Sequence, residues 1–164
     1  MVKIDIYYMR EAIKEAKKAL EVEEVPVGAI VVYQNRVIGR AYNQVEVLKD
    51  ATAHAEMIAI TQASAALGDW RLNECTLYVT KEPCPMCAGA IVLARVERLV
   101  FGAYELQPGT SGSLQNIVSD KRYGSVLEVF GGIEEEACRQ LLQSFFKKCR
   151  GEKNQTIDNT GWVK

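Results

Sequence analysis

Apolar positions at Ile6, Met9, Ile13, Ala16 and Leu20 recur every three to four residues, and this spacing predicts a helix over about 5–21. Glu11, Lys14, Glu15 and Lys18 fall on the other face, with Glu N-terminal to Lys in pairs that suit a solvated helix surface. The period then changes. Residues 24–33 read Glu-Val-Pro-Val-Gly-Ala-Ile-Val-Val-Tyr, a β-branched run expected to form a buried strand. A turn at 34–36 leads back through 37–43, so the two strands form a hairpin closed by Asn43.

Residues 44–51 are a polar connection. Asp50 or Thr52 stands where it can cap a helix over 53–66, with Ala55, Ile58, Ala59, Gln62 and Ala66 on one face. After a break at 68–72, residues 75–80 read as a third strand. Pro85 suits the first position of a short apolar helix over 86–94, which leads to a fourth strand at 99–101. A loop over 103–113, a short helix around 114–119 and a fifth strand over 125–130 follow. The last helix, 134–150, places Glu134, Glu135 and Glu136 at its positive end and Lys147, Lys148 and Arg150 at its negative end, as the macrodipole prefers. The order predicts an α/β fold with one five-stranded sheet and helices on both faces. One domain is expected over 1–150, followed by a polar, frayed tail over 151–164.

Composition narrows the function. A chain of 164 residues with 48% hydrophobic and 25% charged residues suits a single globular domain. A net charge of −1 excludes nucleic-acid binding by bulk charge. An RNA partner would need a local patch, such as Lys147, Lys148 and Arg150. No apolar run is long enough to cross a bilayer, and residues 1–10 lack the apolar segment of a secretion signal. Five cysteines, an odd number, argue against a disulfide framework and point to the reducing cytoplasm.

The chemistry lies in two short stretches. Thr52-Ala53-His54-Ala55-Glu56 holds the sole histidine, and Pro83-Cys84-Pro85-Met86-Cys87 holds two thiols. One imidazole and two thiolates are the ligands of a catalytic zinc that keeps its fourth position for water, whose pKa the metal lowers. Glu56 remains as a carboxylate beside that water, placed to shuttle protons to a ring nitrogen and a leaving ammonia. His-x-Glu followed by Pro-Cys-x-x-Cys is the signature of the zinc nucleobase deaminases. Cys84 and Cys87 share one face of a helix start, where thiolate is favoured. A structural zinc module or a dithiol redox protein is the competing reading of Cys-x-x-Cys. Structural zinc usually takes four protein ligands, however, and here no second His exists and no further Cys is suitably spaced. Cys75 and Cys138 are expected to be small core residues.

With Glu24-Val25-Pro26-Val27-Gly28-Ala29, Thr76-Leu77-Tyr78-Val79-Thr80, residues 82–90 and Phe101-Gly102-Ala103, these motifs resemble the bacterial tRNA adenosine deaminases of the cytidine-deaminase-like superfamily, from the first helix to about Arg150. The resemblance implies a three-layer α/β/α sandwich with a five-stranded mixed sheet and a homodimer. It also implies one zinc per subunit on His54, Cys84 and Cys87, with Glu56 as the proton shuttle. The activity implied is conversion of adenosine to inosine at the wobble position of a tRNA anticodon. Asn43, Val27 and Ala55 would contact the flipped base, and the tail Phe145-Phe146-Lys147-Lys148-Cys149-Arg150 would touch the anticodon loop, chiefly through Phe146 and Arg150. Two segments depart from the family pattern: Tyr104-Glu105-Leu106-Gln107-Pro108 and Gly124-Ser125. They favour an alternative on the same fold, deamination of a free guanine- or cytosine-type base. The long motifs and the basic tail favour tRNA.

Overall fold

The computed structural model describes residues 2–104, Ile117 and residues 127–155, the stretch 152–155 through its backbone only. The described elements are α1 (Val2–Glu21), β1 (Gly28–Tyr33), β2 (Arg36–Tyr42), α2 (Val45–Leu48), α3 (Ala55–Leu67), β3 (Thr76–Lys81), α4 (Pro85–Leu93), β4 (Arg98–Ala103), β5 (Glu128–Phe130) and α5 (Glu135–Gln155). Apart from Ile117, the expected helix around 114–119, the loop beyond Tyr104 and the start of the fifth strand fall outside the described residues.

The sheet order is β2-β1-β3-β4-β5. β1 is antiparallel to β2 and β3, whereas β3, β4 and β5 are parallel, so the sheet is mixed. Side chains alternate between faces along each strand. Ala29, Val31, Leu77, Val79, Leu99 and Phe101 pack on the side of α3 and α4, and Ile30, Val32, Tyr78 and Val100 on the side of α1 and α5. Three layers result. The hairpin turns on Gln34 and Asn35, both with positive φ, the two-residue arrangement whose twist matches the flanking strands.

Several local expectations change. Glu15 is buried, not solvated, because it faces β2, where Arg40 Nη1 lies 3.3 Å and Lys18 Nζ 2.8 Å from its carboxylate. The first strand begins only at Gly28; in the lead-in Pro26 has no N–H, and Val27 N–H bonds locally to Val25 O at 2.7 Å. The polar connection contains α2. Neither Asp50 nor Thr52 caps α3. Asp50 accepts from the Thr52 backbone and hydroxyl, and His54 itself occupies the N-cap position. The buried stripe of α3 is Ala55, Ala59 and Ala63, while Gln62 and Ala66 are exposed. These small residues let α3 lie close to Gly39, where a Cβ would meet Ala59 O at 2.4 Å. α5 continues past Arg150 to Gln155, since one helical glycine, Gly151, costs only about 1 kcal/mol.

A second ion pair ties α1 to the sheet. Arg98 on β4 holds Asp5 on α1 through two bonds, Nη1–Oδ1 at 2.7 Å and Nη2–Oδ2 at 2.9 Å, and the Tyr78 hydroxyl donates to Oδ1 at 2.9 Å. Burial alone would raise the Asp5 pKa, but the hydrogen bonds from Arg98 and Tyr78 outweigh it and hold the carboxyl below its usual range. Asp5→Ala strands a largely buried guanidinium and is expected to destabilise the fold by about 3 kcal/mol in chemical denaturation. Because the folded pKa is depressed, the contribution is complete above the unfolded value of about 4 and disappears as pH falls through the folded one. The difference between wild type and Asp5→Ala should therefore shrink below about pH 4.

Candidate metal centre and active site

The sheet topology decides where the site forms. β1 runs antiparallel to β3, so the start of β1 lies at the end of β3, with Ala29 paired to Val79. β2 returns alongside, bringing Tyr42 opposite Gly28. Val27, Asn43 and the β3–α4 connection therefore converge at one end of the sheet. α3 and α4 both point their N-termini there, with His54 and Cys84 as their N-cap residues. Pro85 occupies the first turn of α4, as expected, and Cys87 lies in the same turn, three residues after Cys84.

His54, Cys84 and Cys87 form a group whose ligand atoms all lie within 4.8 Å of one another. His54 Nδ1 is 3.6 Å from Cys84 Sγ and 3.5 Å from Cys87 Sγ. Bonds of about 2.0 Å to nitrogen and about 2.3 Å to sulfur at tetrahedral angles place these atoms roughly 3.5 Å apart. The donor set and its spacing thus fit zinc, with Nδ1 rather than Nε2 facing the thiols. Among the described residues no fourth His, Cys, Asp or Glu joins the group, and Glu56 stands outside it.

The electrostatics suit metal ligation. The Cys87 thiol, the His54 ring and the Cys87 backbone amide hold Cys84 as a thiolate, with its pKa lowered to about 3. Cys87 is pushed up by its hydrogen bond to that thiolate and by burial. Its bond to Cys84 raises the His54 pKa. Glu56, buried in the first turn of α3, is raised by desolvation. By contrast Cys75 and Cys138 are inert core thiols, raised by burial to about 11 and about 12.

A cavity of about 600 Å³ opens over this group. Its lining includes His54, Glu56 and Cys84, Val27 and Asn43, and Phe145 and Phe146 of α5. Of the substrate-contact candidates, Ala55 packs its methyl in the core instead, and Arg150 is exposed on α5 outside the cavity lining. Glu24, Glu46, Lys81 and Glu82, to which the sequence pattern assigns no role, also line the cavity. Glu24 and Glu82 sit inside the quoted motifs, which was the available signal. Of the departing segments, only Tyr104 is described; it stacks edge-on against Phe101 with centroids 4.9 Å apart.

Comparison with known proteins follows the same lines. The family model for MafB19-like deaminases matches residues 5–150. A tRNA-specific adenosine deaminase of Bacillus subtilis is 50% identical over 155 residues, covering 94% of this chain and 96% of that protein. The chain belongs to the tRNA-specific adenosine deaminase family. A solved tRNA:A34 deaminase, studied for A-to-I editing at the wobble position of transfer RNA, is 41% identical. That match covers 83% of this chain and 99% of the other, with a TM-score of 0.77. The guanine deaminase of Bacillus subtilis is 36% identical but covers only 60% of this chain and 63% of its own, with a TM-score of 0.57. The shared fold is the cytidine-deaminase-like α/β sandwich expected from the motifs.

Proposed function

We propose that this protein is a zinc-dependent hydrolytic deaminase that converts adenosine to inosine at the wobble position of a tRNA anticodon. The observation that carries the reading is the likeness to a tRNA-specific adenosine deaminase over 94% of the chain, which takes in the aromatic-basic part of α5 as well as the metal centre. Phe145 and Phe146 in the cavity lining offer stacking surfaces for bases, and Lys147 and Lys148 follow them on α5.

When bound to His54, Cys84 and Cys87, zinc supplies the Lewis acidity that makes a water nucleophilic near neutral pH. Glu56 would take two protons in turn from the attacking water: the first goes to the purine ring nitrogen as the C–O bond forms, and the second, from the hydroxyl now on that carbon, goes to the amine, which leaves as ammonia as the C–N bond breaks. Val27 packs against the base, and Asn43 hydrogen-bonds it.

The test offers purified zinc-loaded protein an anticodon stem-loop with adenosine at the wobble position and, in parallel, free guanine, adenine, cytosine and cytidine. Inosine in the stem-loop is expected. Ammonia from a free base alone would transfer the site to the guanine-deaminase type of chemistry.

The assembly belongs to the same proposal. α4 carries no charged residue; its inner side is buried, yet Met86 and Leu93 are exposed, Leu93 by 66%. A helix apolar all round belongs inside a protein or an interface, which supports a homodimer formed with α4. Leu93→Asp should convert a dimer to a monomer in sedimentation velocity, and a monomeric wild type at micromolar concentration would remove the idea. None of the five cysteines is in a disulfide, which suits the reducing cytoplasm as its place of action. Among the described residues no helix is long and apolar enough to cross a membrane.

A further inference from the structure

α1 ends in a turn that puts an unexpected carboxylate beside the site. Glu23 adopts positive φ, its N–H bonds to Leu20 O at 3.3 Å, and Glu24 N–H bonds to Ala19 O at 2.9 Å. This pair closes the helix in the Schellman manner with a glutamate in the left-handed position. Glu24 then points inward and is 1% exposed. Its two oxygens divide their work. Oε2 accepts from Asn43 Nδ2 at 2.9 Å, and Oε1 accepts from the Val47 backbone N–H in α2 at 2.8 Å. Val45, Glu46 and Asn43 all line the cavity, so a single carboxylate holds two of its wall segments together.

An asparagine amide can be turned either way unless its partners decide. A carboxylate only accepts, so Glu24 forces the amino group of Asn43 to its side. The carbonyl oxygen and the second amide hydrogen are left for another partner. That acceptor and donor match the N6 amino group and N7 of adenine. The backbone does its share: Asn43 N–H bonds to Val27 O at 3.0 Å, so main chain and side chain are both fixed.

We infer that Glu24 is the positioning residue of this deaminase, setting the amide orientation of Asn43 and clamping α2 to it, so that the base is presented to the metal centre in one pose. The inference rests on the proposed deaminase reading. Glu24→Gln offers one oxygen and one amino group where two acceptors are required. If its oxygen keeps Val47, its amino group meets the amino group of Asn43.

The experiment measures kcat and KM on the wobble-adenosine stem-loop, with zinc content and melting temperature in parallel. Glu24→Gln should retain zinc and melt near wild type while kcat falls about a hundredfold, the scale of a misplaced reacting group. Asn43→Asp sets two carboxylates against each other and should be similarly slow. The double variant Glu24→Gln/Asn43→Asp restores a donor–acceptor pair in the reverse sense and should turn over at least about tenfold faster than Asn43→Asp alone, since each tenfold is only 1.4 kcal/mol of transition-state positioning. Unchanged kcat in Glu24→Gln, or independent losses without rescue in the double variant, would overturn the assignment. If Glu24→Gln alone does not fold, the rescue comparison still decides. Wild type inactive on the stem-loop would instead sink the substrate reading.

Discussion

Glu56→Gln is expected to give a folded, zinc-loaded protein whose kcat on the stem-loop is lower by at least about a thousandfold, within the range for losing a general acid–base. Glutamine has nearly the shape of glutamate, so the packing of this buried first-turn position of α3 is kept. It cannot carry a proton. The reaction needs two protons taken in turn from the attacking water, one delivered to the ring and one to the leaving amine, and Glu56 is the carboxylate next to His54 that stands outside the metal group. Metal analysis on the same sample separates chemistry from binding. Zinc retained with activity lost assigns the protons to Glu56. Zinc retained with near-normal turnover would pass them to another cavity carboxylate, with Glu82 the first to examine.

Removing the metal should have an effect at least as large. Dialysis against a strong chelator is expected to abolish turnover, and about one equivalent of zinc per chain should restore it. Cys87→Ala leaves His54 and Cys84 as the remaining members of the ligand group, and its zinc content should fall toward zero. Cys75→Ala and Cys138→Ala are the controls. Both thiols are buried away from the group, so these variants lose some stability but keep their zinc. Zinc bound only by the folded state also stabilises it, by about 4 kcal/mol at a thousand times its dissociation constant. The chelated protein should therefore melt lower than the loaded one, and Cys87→Ala should melt at the same temperature with or without zinc. A Cys87→Ala variant with full zinc content would remove that thiol from the ligand set.

The sequence by itself determined the features that local pattern controls. His54, Cys84 and Cys87 were legible because metal ligation demands particular atoms at short spacing, and the structure brings their ligand atoms within 4.8 Å. β1, β3 and β4 were legible from their apolar runs, since a strand buried on both faces has few other compositions. Pro85 marked the start of α4 because its missing N–H is harmless there.

Tertiary structure alone decided the rest, because the deciding partners are distant in the chain. Glu15 looks like a solvated helix residue until Arg40 on β2 is placed beside it. Asp5 gains its role from Tyr78 and Arg98, 73 and 93 residues away. His54 turns Nδ1 rather than Nε2 toward the two thiols, a choice of ring nitrogen that no spacing encodes. Glu24 lies in a motif that reads as strand. It leaves the sheet because Pro26 cannot donate to a ladder, and it becomes a partner of Asn43 only when β2 returns along β1. Short-range chemistry is written in neighbouring letters, whereas orientation and desolvation are properties of contacts that exist only once the chain has folded.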